Sequence, residues 1–127
     1  GGLVAITAEP LMPSPLAAIL IGAVGGIIVV YGTKLLFSLK IDDVVGAVPA
    51  HLFAGIWGTL IVPATNTGTS FSTQLIGVLA VNLFVFIVSF IIWSIMKSTI
   101  GLRLSKEGET KGTDVTETGV IAYAIRD

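Results

Sequence analysis

Long apolar runs alternate with short polar segments over the first 100 residues of the chain. Three runs have the length of about 20 residues that a helix needs to cross a hydrocarbon core. They cover residues 16–37, 44–62 and 75–96. A proline-rich approach at residues 9–15 prevents residues 1–8 from continuing into the first run as one helix. We therefore expect residues 1–8 to be the end of an earlier span.

Polar residues mark the limits of these runs. Asp42 and Asp43 precede the second run, where a carboxylate can accept the first amides of a helix and face its positive end. A loop of turn-forming residues, 63–70, separates the second run from the third. The pattern predicts an all-α, polytopic membrane bundle in residues 1–100 with three transmembrane helices, the end of an earlier one, and a polar tail at 101–127.

Composition agrees with a lipid environment. Hydrophobic residues make up 54% of the chain and charged residues 12%, and the mean hydropathy is +0.97. A soluble domain of this composition could not cover itself with polar surface. The formal net charge is only −1, and no basic stripe interleaved with aromatic residues is present, so nucleic acid is not an expected partner.

Basic residues predict the orientation of the spans, because short cytoplasmic loops carry most Lys and Arg. They flank the first connection or follow the last run. These positions are Lys34, Lys40, Lys97, Arg103, Lys106, Lys111 and Arg126. Neither residues 1–15 nor the loop at 63–73 has any. The first span is therefore predicted to run inward, the second outward, and the third to end in the cytoplasm. We expect the bundle to lie in the plasma membrane.

Small residues predict which spans pack closely, since helices in lipid associate through close approach. The second run has small residues at positions 46, 50, 54 and 58, and the first has them at 18, 22 and 26. Both should be buried against other helices. The third run carries bulky apolar residues, with Asn82 and Ser89 as exceptions, and is predicted to be an outer helix facing lipid.

His51 is the only histidine and lies eight residues beyond Asp43 in the second run, about 12 Å into the membrane at the helical rise. Ionisable residues at such depth are expensive and usually functional. The imidazole offers a donor and an acceptor to a small polar solute or a proton. The alternative is a histidine that only packs. Pro49 interrupts the helical hydrogen bonds beside it, whereas Trp57 is expected to pack.

Residues 41–58, IDDVVGAVPAHLFAGIWG, resemble the tenth membrane helix of the ammonium transporter family, which is related to the Rh proteins. Residues 2–8 are similar to the end of that family's eighth helix. Residues 101–103, 112–114 and 119–123 are similar to its cytoplasmic tail. The resemblance covers nearly the whole chain and keeps the family's order, so we expect this sequence to be a C-terminal portion of an eleven-helix transporter.

The resemblance implies a homotrimer, an extracellular N-terminus and a narrow hydrophobic pore in each subunit. It implies that His51 is the second member of a pore-lining histidine pair that handles ammonia and a proton after ammonium is deprotonated. It also implies that Ala47 is a pore-lining apolar position. The first histidine, the aromatic recruitment site and the gating phenylalanines are expected upstream of Gly1, so this piece is not expected to transport unaided.

The tail departs from the family pattern at two positions. Thr118 stands where the family commonly has His, and Val120 stands where an acidic residue is frequent. The family's tail communicates between subunits and, in microbes, meets a PII-type signalling protein. Thr116 aligns with a threonine that is phosphorylated in plant relatives, although a surface threonine in a polar tail is more often simply solvated.

The leading hypothesis is a channel-like ammonium transporter, not an enzyme. Two alternatives are an ammonium sensor of the same fold and a structural membrane subunit in which His51 only packs. The short tail argues against an attached signalling domain. No cofactor or metal is predicted, because one histidine without clustered carboxylates falls short of a ligand set.

Overall fold

A computed structural model describes residues 1–9 and 11–122, and all regular structure in these residues is helical. Five α-helices are α1 (Gly2–Ile6), α2 (Pro15–Ser38), α3 (Ala54–Ile61), α4 (Phe71–Thr99) and α5 (Lys106–Lys111). A π-helical segment (Val48–Phe53) leads into α3, a 3-10 turn (Val62–Ala64) follows it, and a π-helical turn (Asp114–Thr118) follows α5. The predicted all-α fold class is confirmed. Of the residues used in the predictions, Pro10, Tyr123 and Arg126 lie outside the described part.

Two described helices, α2 and α4, are long and apolar enough to cross a membrane. Each contains the corresponding predicted range and extends beyond it at both ends. Helix α2 begins at Pro15 because proline suits the first helical position, where an amide would have no partner. Ser14 caps this end, its hydroxyl oxygen accepting the amide of Ala17 at 3.3 Å.

The second predicted span starts later than the sequence pattern indicated. Its helical run is Val48–Ala64, whereas the prediction began at residue 44. Asp43 does act as a cap, since its carboxylate oxygens accept the amides of Ala47 at 2.8 Å and Val48 at 2.9 Å. Gly46 has a left-handed φ of 69°, so the chain turns between Asp43 and the helix. The apolar character of residues 44–47 alone could not reveal this turn.

The chain divides into two compact units, Gly1–Phe84 and Val85–Asp127. In the first unit, α1, α2 and α3 approach one another through glycines. A Cβ at Gly58 would lie 2.2 Å from the carbonyl oxygen of Ala5, and one at Gly25 would lie 2.7 Å from the Ala5 Cβ. Both distances are far inside normal contact, so only glycine at these two positions lets the helices approach this closely.

The small-residue pattern was right in part. Ala54 and Gly58 are buried, as predicted. Gly46 instead lies in the turn, and a Cβ at Gly26 would meet nothing within 4 Å. Its neighbour Gly25 is buried instead, because a helix presents only one of two successive residues to a given partner.

Two polar contacts also connect distant parts of the first unit. The indole Nε1 of Trp57 donates to the carbonyl oxygen of Ile21 at 3.1 Å, in keeping with the expectation that Trp57 packs. The amide Nδ2 of Asn66 donates to the Glu9 carboxylate at 2.8 Å. This second bond ties the segment before α2 to the loop after α3.

The described tail residues form a short local structure in the second unit. Ser105 caps α5 by accepting the amide of Gly108 at 3.1 Å, and the Arg103 guanidinium pairs with the Glu109 carboxylate. Gly108 is buried under Thr116, whose hydroxyl donates to the carbonyl oxygen of Gly112 at 2.8 Å. The tail is therefore folded locally by caps and hydrogen bonds, with little apolar burial.

Candidate functional site

His51 lies in the π-helical segment that precedes α3. Pro49 has no amide hydrogen and cannot make the usual helical bond. The amide of Ala54 donates to the carbonyl oxygens of both Pro49 and His51, and its bond to Pro49 has the i to i+5 spacing of a π-helix. Such π turns occur frequently at functional sites.

Packing holds this π segment in place. Pro49 is fully buried, and its Cβ would lie 2.9 Å from a Cβ built at Gly32 of α2. The ring of Phe53 approaches the same point at 2.7 Å. Only glycine at position 32 allows α2 to come this close, so the backbone that carries His51 is fixed from behind while the His51 side chain is exposed.

The exposed side of His51 lines a groove of about 260 Å³ within the first unit. Its walls are His51, Leu52, Gly55, Ile56 and Thr59 on one side and Gly77, Val78, Val81 and Asn82 of α4 on the other. Most of these side chains are apolar. The imidazole of His51, the hydroxyl of Thr59 and the amide of Asn82 supply the polar groups of the lining.

The three polar groups differ in their hydrogen bonds. Asn82 donates through Nδ2 to the carbonyl oxygen of Val78 at 2.8 Å. Within residues 1–9 and 11–122, the side chains of His51 and Thr59 make no hydrogen bond. The same residues hold no group of three or more side chains that could bind a metal ion. The groove can thus offer polar contacts to a small solute along an otherwise apolar wall.

Ala47, the other predicted pore position, does not line this groove. It is exposed and stands just before the π segment, where its amide is bonded to Asp43. The prediction assumed a regular α-helix, in which positions 47 and 51 share a face. The turn and the π segment change that register, so the pairing of Ala47 with His51 stays a prediction.

Sequence reasoning gave no role to Thr59 or Asn82. Asn82 was visible as a polar residue in an apolar run, but only the structure brings it to the same groove as His51. Thr59 follows His51 by eight residues, about two helical turns. That spacing was the available signal for placing both on one face.

Comparison with known proteins identifies the family. The model of the Ammonium Transporter Family matches residues 1–123. A candidate ammonium transporter of Synechocystis sp. is 43% identical over 121 residues, which cover 94% of this chain and 27% of that protein. An ammonium transporter of Archaeoglobus fulgidus is 33% identical over 142 residues, covering 96% of this chain and 30% of the relative.

An ammonium transporter of Bacillus subtilis is 34% identical over 141 residues, covering 96% of this chain and 34% of the relative. The chain thus spans between about a quarter and a third of the length of these relatives. The family model covers nearly all of the chain, and the apolar helices have the length that a membrane protein needs. The chain belongs to the Ammonium Transporter Family.

Proposed function

We propose that this chain forms part of a transmembrane pathway for ammonium, with His51 on the conducting wall. The proposal is supported by membership of the family and by relatives that are named ammonium transporters. The observation that carries it is the exposed imidazole of His51 in an apolar groove. An imidazole that makes no hydrogen bond within residues 1–9 and 11–122 is available to a solute.

The chemistry of imidazole suits the task. It can accept a hydrogen bond or a proton at one ring nitrogen and donate from the other. Ammonium that loses a proton beside His51 becomes neutral ammonia and can cross an apolar stretch without the cost of burying charge. A potassium ion has no proton to lose and keeps its full desolvation cost, so the same groove would reject it.

The remaining pathway is proposed to come from segments that the longer relatives possess and this chain does not cover. A second histidine would then face His51 across the pore. Ala47 would line the same pathway nearer the cytoplasm once those segments are packed against it. Loss of either histidine is expected to impair selectivity, because each alone offers only half of the proton-relay path.

The setting of the pathway is also proposed. Residues 1–100 would lie in the plasma membrane of a homotrimer and residues 101–127 in the cytoplasm. The orientation is supported by the basic residues, which flank the first connection and follow the last span. A PII-type signalling protein is the proposed partner of the tail. The large apolar residues exposed on α2 and α4 would face lipid or further helices.

Ammonium-evoked current from the full-length protein in liposomes tests the function. Wild type is compared with His51→Ala and with Ser94→Ala, a control at a residue of α4 that does not line the groove. We expect wild type and the control to conduct ammonium, while His51→Ala loses the current or begins to pass potassium. Equal current and equal selectivity in all three proteins would make His51 a packing residue, as in a structural membrane subunit.

A further inference from the structure

Helix α4 places a single carboxamide, Asn82, in the wall of the groove opposite α3. Its neighbours in that wall, Val78 and Val81, are apolar. Asn82 is half-buried, whereas most of the helix is exposed. An amide in an apolar helix costs free energy unless its polar atoms have hydrogen-bond partners. The partners of both Nδ2 and Oδ1 of Asn82 therefore have to be identified.

The nitrogen end has a partner and the oxygen end does not. The Val78 carbonyl oxygen can only accept, so the atom 2.8 Å from it must be the amide nitrogen of Asn82. The orientation of the amide is therefore fixed by chemistry. Among residues 1–9 and 11–122, Oδ1 accepts no hydrogen bond, and no side-chain polar atom there is both buried and unpaired. Oδ1 is thus an accessible acceptor.

Asn82 lies at about the depth of His51. His51 is 13 residues from the end of the helical run at Ala64, and Asn82 is 11 residues from the start of α4 at Phe71. At the rise of an α-helix these separations are about 20 Å and 17 Å. Since both helices lead away from the same short loop and line one groove, the amide oxygen and the imidazole face the same level of it.

We infer that Asn82 is a specificity-determining residue whose Oδ1 accepts an N–H bond from the nitrogen solute beside His51. The inference rests on the proposed function and adds a second polar contact to it. A carboxamide oxygen binds ammonia and ammonium through their N–H groups and cannot take up a proton at neutral pH. His51 would move the proton while Asn82 holds the nitrogen in place.

The test measures ammonium-evoked current against ammonium concentration for the full-length protein in liposomes. Asn82→Leu removes both ends of the amide. Asn82→Thr can keep the bond to the Val78 carbonyl through its hydroxyl but lacks the carboxamide oxygen. Ser94→Ala is the matched control, because Ser94 also bonds back to a carbonyl of α4, that of Phe90 at 2.6 Å, outside the groove.

Loss of one hydrogen bond should raise the half-saturating ammonium concentration about fivefold to tenfold in both Asn82 variants. The control should match wild type. A purely structural role predicts the opposite split, in which Asn82→Thr behaves as wild type and only Asn82→Leu is impaired. That split, or an unchanged concentration dependence in both variants, would overturn the inference. A current that depends on His51 would still uphold the proposed function. Absence of any wild-type current would overturn both.

Discussion

Helices α3 and α4 face the same groove but are built in contrasting ways. Helix α3 contains Ala54, which is completely buried, and Gly58, which meets the backbone of α1. Helix α4 has no buried residue, although it is longer and carries larger apolar side chains. Apolar bulk therefore does not decide which of these two helices is packed within the chain.

The reason lies in the solvent. In lipid, a leucine or phenylalanine gains little by moving from an acyl chain to another helix, so large apolar residues specify insertion but not a partner. Glycine and alanine let two backbones approach and make many weak contacts at short range. The packed helix is thus distinguished by its small residues, glycine and alanine.

A Gly→Ala substitution made in each of the two helices should give the largest difference in stability between them. Gly58→Ala places a Cβ 2.2 Å from the Ala5 carbonyl oxygen, and a backbone atom cannot move aside cheaply. We expect a loss of about 1–3 kcal/mol in stability, as for overpacked cores. Gly77→Ala in α4 adds a Cβ that meets nothing within 4 Å and should leave stability almost unchanged.

Thermal unfolding of the full-length protein in detergent measures both variants. The expected order of midpoint temperatures is Gly58→Ala well below wild type, with Gly77→Ala close to it. Equal midpoints for the two variants would mean that the direct backbone contact of α3 does not carry the packing. Stability alone is the readout here, because Gly77 lines the groove.

A smaller effect is expected from the cap of the helical run that carries His51. Asp43→Ala removes the acceptors of the Ala47 and Val48 amides and should destabilise this end by about 1 kcal/mol. Asp43→Asn keeps one carbonyl acceptor and should lose less. Hydrogen exchange of residues 47–53 in the full-length protein should be fastest in the Ala variant. Identical exchange in wild type and in the two variants would mean that the packing of Pro49 alone orders the π segment.

The sequence allowed the helical class and two long helices to be predicted, because hydropathy is a local signal. The role of His51 stays a prediction. The sequence could not show the late start at Val48. Apolar residues 44–47 look the same in a turn as in a helix, and only the φ of Gly46 distinguishes them. Asn82 was recognisable in the sequence as a polar residue in an apolar run, but only the structure places it in the same groove as His51. A groove is a property of two helices, which periodicity along one run cannot describe.

The described tail differs most from the packed helices α1 to α3. Hydrogen bonds between exposed groups stabilise it, instead of close contact between backbones. The Asp114 carboxylate accepts the amide of Ala122 at 2.8 Å. This bond, and a second from the Val115 amide, lower the pKa of Asp114 below its ordinary value. A carboxylate with a lowered pKa stabilises the folded turn at pH values above the unfolded pKa. That contribution is lost as the pH falls through the lowered pKa.

Acidification should therefore release the turn at residues 114–122 before it affects α1 to α3. In full-length protein labelled with 15N-alanine, the Ala122 amide resonance is expected to move toward its unfolded position as the pH drops below about 4, the ordinary pKa of aspartate. Asp114→Asn keeps an acceptor that does not titrate in this range, so its Ala122 resonance should not move. A pH-dependent shift of equal size in that variant would place the titrating group elsewhere in the tail.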